Sequence, residues 1–134
     1  MMSAADLTGA WTLLSASMDL PGDGHVDYLG PVPKGRLVFT ASGYMTALLM
    51  AGERSGDGGA LFGSMLAYTG RFTADTTRIV TAVDAAWMPA WEGTEQMRHY
   101  TLDGDRLTLR TPPGPHPAYP GATVSAVLEW LREG

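Results

Sequence analysis

The chain has 134 residues and carries 14 acids against 9 bases, a formal net charge of −5, with 45% hydrophobic residues and no cysteine. At this length one domain over 1–134 is expected, burying roughly two-thirds of the surface its unfolded form exposes. The missing cysteine excludes disulfides, thiolate metal sites and thiol nucleophiles, and the acidic balance with scattered bases argues against nucleic acid and anionic membranes as partners.

The opening MMSAADL has no positive charge followed by an apolar core, so it does not read as a signal peptide and points to a cytoplasmic location. Short runs with period-2 character or β-branched and aromatic content then follow at 9–18, 35–41, 44–51, 66–73, 77–86, 93–102, 105–111 and 122–131. Gly and Pro punctuate them at GDG (22–24), LGPVPKG (29–35), SGDGG (55–59) and TPPGPHPAYPG (111–121). The longest apolar window, 44–52, overlaps the third run and is far short of the roughly 20 residues a membrane helix needs. Between the third and fourth runs, ALFGSMLAY (60–68) admits a helical turn or a lid, weakened by Gly63. Between the sixth and seventh, Asp103-Gly104 predicts a type I′ hairpin. Eight short antiparallel runs fit an all-β sandwich or a closed up-and-down barrel.

The chemistry is densest in WMPAWEGTEQMRHY, from Trp87 to Tyr100. Its second half alternates, with Thr94, Gln96, Arg98 and Tyr100 on one side and Glu95, Met97, His99 and Thr101 on the other. Tyr100 and Leu102 continue into a hairpin whose apolar row is Leu107 and Leu109, so Gln96 and Arg98 are expected inside and Glu95 and His99 in solvent. A buried guanidinium needs a partner, either an acid such as Asp84 or Glu129 or an oxygen on a ligand. Tyr68 shares its face with Gly70 and Phe72, while Thr81 alternates with Ile79 and Val83 and leaves Asp84 out of phase, hence outside unless the strand bulges. Tyr68 and Tyr44 are read as core packing or ligand contact. Trp87 and Trp91 bracket Pro89 at a rim, and Met45, Met50, Met65, Met88 and Met97 suit either an irregular pocket or a filled core. His25 and His116 lie in loops and no two histidines have metal-ligand spacing, so no metal is expected. With no G-x-G-x-x-G, G-x-x-x-x-G-K-[ST] or G-x-S-x-G, nucleotide cofactors and serine hydrolysis are not expected either, and no cofactor is assigned.

Taken in order, Gly9-Ala10-Trp11, Gly35-Arg36-Leu37, Gly43-Tyr44-Met45, Ala67-Tyr68-Thr69-Gly70-Arg71-Phe72, the run Pro89 to Arg98, Gly104-Asp105-Arg106-Leu107-Thr108-Leu109 and Trp130-Leu131-Arg132 resemble the small bacterial and fungal lipocalin-like domain family over nearly the whole chain. The resemblance implies an all-β, closed antiparallel barrel of about eight strands with an internal apolar cavity. It implies that Trp11 and Arg132 plug one end, the guanidinium lying over the indole. The lumen and rim contacts to a ligand would then be Tyr44, Met45, Met65, Phe72, Thr81, Trp87, Trp91 and Tyr100. Where relatives often carry histidine in the fifth strand, Thr81 and Ala82 stand here, so no mechanism through that imidazole is expected. The reading favoured is a cofactor-independent cyclase or isomerase, pericyclic chemistry included, acting on a hydrophobic oxygenated polyketide-like intermediate. Arg98 and Gln96 would polarise a carbonyl, with Tyr68 or Tyr100 helping to hold it. The alternatives are a non-catalytic carrier of such a molecule and a barrel acting through its outer face. The tryptophan loop leaves homodimerisation open.

Overall fold

The computed structural model describes residues 4–22, 24–115 and 121–133. A helical turn, α1 (Ala4–Leu7), leads into β1 (Gly9–Asp19), followed by β2 (His25–Asp27), β3 (Lys34–Phe39) and β4 (Tyr44–Met50). Then come α2 (Gly58–Gly63), β5 (Met65–Ala74), β6 (Arg78–Ala86), β7 (Glu95–Asp103), β8 (Arg106–Arg110) and β9 (Ser125–Arg132). Every pairing is antiparallel, in the order β2-β1-β3-β4-β5-β6-β7-β8-β9, and β9 returns to pair with β1. The eight long strands therefore form a closed barrel, and β2 is a short extra strand on its rim. Closure removes the free strand edges that an open sandwich would leave.

All eight expected runs are strands, though β9 starts at Ser125 and not at 122. The unexpected strand is β2, which places His25 on a strand and not in a loop. It exists because β1 changes neighbour along one edge: Gly9–Thr12 pair with Phe39–Arg36, and Ser17–Asp19 pair with Asp27–His25. On the other edge β1 pairs with β9, with a register shift that makes Leu14 an extra, half-exposed residue. That bulge moves the inward row from Trp11 and Leu13 to Ala16 and Met18. A second shift, between β5 and β6, leaves Asp84 unpaired and exposed opposite Thr69 and Gly70. The helical reading of 60–68 divides: α2 ends at Gly63, and Met65 onward is strand.

The hairpin at Gly104 also differs in type. Asp103 pairs with Arg106, so its central residues are Gly104 and Asp105. Of these only Gly104 has positive φ (61°), the requirement of a type II′ turn with glycine first, not of type I′.

The lumen is filled at the end nearest this hairpin. Leu7, Trp11, Leu37, Leu107 and Trp130 are wholly buried there, with Phe39 edge-on to Phe72 at 4.8 Å between ring centres. The Arg132 guanidinium lies 4.2 Å from the centre of the Trp11 ring and donates to the carbonyls of Thr8 (2.9 Å) and Asp6 (2.7 Å). The Trp11 indole N–H donates to the Leu7 carbonyl at 2.9 Å. This is the plug that the resemblance implied, and it holds α1 across the barrel end.

The β5–β6 turn is stapled by Asp75, whose carboxylate accepts from the backbone N–H groups of Thr77 and Arg78, each at 2.8 Å. Those bonds, with the nearby Arg78 charge, hold the Asp75 carboxyl below the ordinary carboxylate range. A carboxyl depressed in the folded state stabilises above its unfolded pKa, near 3.9, and that contribution is lost as pH falls through the folded value. We expect urea stability to decline from about pH 4 downward, and Asp75→Asn, which keeps the acceptor but not the charge, to flatten that decline. Urea melts across the acid range check this; an unchanged slope would remove Asp75 from the acid response.

Candidate functional site

The opposite end of the lumen is open. There a cavity of about 280 Å³ is bounded by Met18 of β1, Tyr28 just after β2, Leu66 of β5 and Trp91 from the β6–β7 turn. Gln96 and Arg98 of β7 and Ala126 and Leu128 of β9 continue the wall. Thr111 continues the wall beside Arg98, and Pro112, Gly114, Pro115 and Val124 close the rest of the mouth, where Gly114 and Val124 exchange backbone hydrogen bonds of 3.0 and 2.9 Å. The lining is mainly apolar, and among the described residues its polar side chains are Tyr28, Gln96, Arg98 and Thr111.

The β7 alternation is as the sequence predicts. Tyr100 is buried, Gln96 and Arg98 face the cavity, and Glu95 and His99 are exposed. Arg98 is the deepest cavity residue on β7, since the next inward position, Tyr100, belongs to the packed core. Its guanidinium donates to the carbonyl of the adjacent Met97 at 2.9 Å. Among the described residues no carboxylate pairs with it. Asp84 is exposed on the outer wall, and Glu129 pairs with Arg106 at 2.9 Å. The Gln96 amide donates to the Thr94 hydroxyl at 3.0 Å, which donates in turn to the Trp91 carbonyl at 2.6 Å. Thr111 directly follows the His99–Arg110 pair, next to Arg98, and its hydroxyl accepts from the Ala126 N–H at 2.8 Å. An accepting hydroxyl still has its own hydrogen to give.

Trp91 owes its position to a tight local turn. Pro89 starts a single 3₁₀ turn, Pro89–Trp91. Gly93, at φ 82°, then reverses the chain so that it and Thr94 bond back to Val83. Only glycine enters that left-handed region at no steric cost. Trp91 meets Trp87 edge-on at 5.0 Å and Tyr68 at 5.4 Å, and Phe62 of α2 stacks on Trp87 at 6.0 Å. Phe62, Trp87 and Trp91 thus form a row from the surface helix to the cavity wall, with Tyr68 packed behind Trp91. The buried Trp87 indole N–H has no acceptor, so stacking and not hydrogen bonding fixes that ring.

Several expected ligand contacts lie elsewhere. Tyr44 is on the outer wall at 39% exposure, with the Arg71 guanidinium 4.6 Å from its ring centre, because the inward residues of β4 are Met45, Ala47 and Leu49. Met65 shares the outer face with Thr69 and Arg71, while its neighbour Leu66 lines the cavity. Met45, Phe72 and Thr81 do point inward but are packed in the filled half. Tyr100 is committed to structure: its hydroxyl donates to the Asp75 carbonyl at 2.5 Å, and burial raises its phenol above the ordinary value, with Asp75 and Asp6 adding to the effect. Tyr68 stands one layer behind Trp91. Trp87 sits outside Trp91.

Motif and composition do not mark Tyr28, Met18, Leu66, Thr111 or the β9 residues as cavity residues. For Leu66 and Leu128 the strand phase was the available signal. For Met18 the Leu14 bulge hid it. His25 contacts Asp19 at 3.2 Å, and Asp19 also meets Arg110 at 2.6 Å; the bonds to Arg110 and then His25 hold the Asp19 carboxyl low. His25 and Arg110 are exposed and Asp19 half-exposed, the two bases meet on Asp19, and none of the three lines the cavity. His116 lies outside the described residues. Among the described residues, no three of His, Asp or Glu come together as a metal site would require, and no helix is long and apolar enough to cross a membrane.

Comparison with known proteins agrees with this architecture: a family model described as a lipocalin-like domain matches residues 8–132. No curated protein matches the chain.

Proposed function

Because the chain belongs to the lipocalin-like domain family, we propose that its open half-lumen binds a small hydrophobic, oxygenated molecule of polyketide type and promotes its cyclisation or isomerisation without a cofactor. The observation that carries this reading is Arg98, a cation inside an apolar cavity with no carboxylate partner among the described residues. Such a group is costly to leave unpaired and is strongest as a donor to an oxygen that gains negative charge. Arg98 grips the carbonyl whose charge grows during ring closure, and Gln96 and Thr111 assist from the neighbouring rungs. Trp91, fixed by Tyr68 and Trp87 behind it, and the apolar wall fold the rest of the chain into a reactive shape. The reaction conserves the substrate's formula and redistributes its electrons internally, so it draws on no external oxidant or reductant.

A second reading is favoured by one specific observation: among the described residues, the cavity lining contains no carboxylate, histidine or lysine able to shuttle a proton. A carrier needs only the shape and the oxygen contact. Turnover decides between the two. With a linear polyketide-type substrate, wild-type protein is expected to accelerate ring closure over buffer, and Arg98→Ala to lose about 10²–10³-fold in kcat. Tight binding without acceleration would establish the carrier, and full activity in Arg98→Ala would show the polar row to be misassigned.

A further inference from the structure

We infer that the ligand is an oxyanion, a carboxylate or the enolate of a 1,3-dicarbonyl, bound head-first with its charge at Arg98 and its apolar end at the mouth. This rests on the reading of the open half-lumen as a ligand site and adds the charge and direction of what enters it. The polar groups at the inner end are mostly donors: the Arg98 guanidinium, the second N–H of the Gln96 amide and the Thr111 hydroxyl. The one bond that Arg98 makes among the described residues, to the Met97 carbonyl, occupies one of its five N–H groups. Its planar fork matches two oxygens sharing one negative charge, and a neutral carbonyl would use only one arm. The protein is acidic overall, at −5, yet the arginines that form ion pairs among the described residues, Arg36, Arg78, Arg106, Arg110 and Arg132, meet their acids on the outside or at the plug.

Direction follows from depth. Tyr100, packed in the core beneath Arg98, blocks any passage further down the barrel, so the anion ends its path there. Trp91, Tyr28, Met18, Pro112 and Pro115 surround the remainder and fit a hydrocarbon or aromatic tail. The volume of about 280 Å³ is just below the range typical of drug-sized ligands, which restricts the occupant to a small molecule.

The test is calorimetric titration of the whole chain with octanoate and with octanamide, which has nearly the same shape without the charge, followed in parallel by tryptophan fluorescence. Octanoate is expected to bind roughly ten- to a hundredfold more tightly than octanamide, the worth of a charge-assisted hydrogen bond. Arg98→Met is expected to erase that ratio while its melting temperature stays equal to or above that of the wild type, since an unpaired charge has been removed. Arg98→Lys should restore part of the preference. Benzoylacetone, titrated on either side of its own ionisation, separates the two sources: tighter binding of its ionised form marks the enolate, and octanoate preference alone marks the carboxylate. Equal affinities for octanoate and octanamide, with no gain on benzoylacetone ionisation, would overturn the oxyanion while leaving the ligand site standing. A preference that survives in Arg98→Met would overturn the assignment of the head group to Arg98. Failure of every probe to bind would overturn the ligand site itself.

Discussion

Trp11→Ala is expected to lower the unfolding free energy by about 3–5 kcal/mol, a large fraction of the roughly 5–15 kcal/mol of an ordinary domain. Trp11 is wholly buried and touches three different parts of the chain: its indole N–H holds Leu7, its ring face carries Arg132, and its strand pairs with both β3 and β9. Truncation leaves a cavity in the filled half of the lumen and a guanidinium with nothing to lie on. Trp11→Phe keeps most of the ring and gives up the bond to the Leu7 carbonyl, and about 1–2 kcal/mol is expected to go with it. Urea melts of the two variants measure both effects. A loss below about 1 kcal/mol in Trp11→Ala would mean that the plug does not hold the barrel end shut.

Gly70→Ala acts on the opposite side of the barrel and from a different cause. A Cβ at Gly70 would stand 2.0 Å from the Ala82 carbonyl oxygen and 3.1 Å from the Val83 Cα, both backbone atoms that no rotamer change can move aside. The residue sits where β5 and β6 shift register around Asp84, so the two strands come closest where a side chain has no room. One methyl group is expected to cost about 3 kcal/mol or more, at the upper end of overpacking effects. Its reach extends to the ligand site, because Val83 carries the bonds to Gly93 and Thr94 that set the Trp91 turn. A displaced indole resonance for Trp91 in NMR spectra, together with the lowered urea midpoint, would report both consequences. Wild-type stability in Gly70→Ala would show that β5 and β6 can part without loss.

What the sequence made legible was strand periodicity where polar and apolar residues truly alternate. In β7 the charged and aromatic residues settle the phase, and Gln96 and Arg98 were read correctly as facing inward. The run YMTALLM of β4 has one polar residue, Thr46, to mark its outer face, so Tyr44 passed for a lumen residue. Bulges defeat alternation outright: at Leu14 an extra residue swaps the faces of β1, and strict counting would have sent Ser15 and Ser17 inward in place of Ala16 and Met18. The mouth was hidden for another reason. Thr111, Pro112 and Val124 share a wall with Met18, about a hundred residues away, and only barrel closure brings them together. Tyr28 depends on β2, three residues whose pairing exists only because β1 has outrun β3.

The return of β9 onto β1 also bears on how the protein is made. Thr8 and Arg132, joined by a hydrogen bond, are 124 positions apart. On a ribosome, β1 therefore emerges long before its partner on that edge, and hairpins such as β3–β4 and β7–β8 can form while it waits. Until β9 is available, β1 offers an unpaired edge and the Trp11 ring an uncovered face, the kind of surface that holdase chaperones bind. The strand that seals the barrel is thus the last of its strands to be made, and the same strand completes the wall at Ala126 and Leu128, so the pocket cannot exist before β9 has docked.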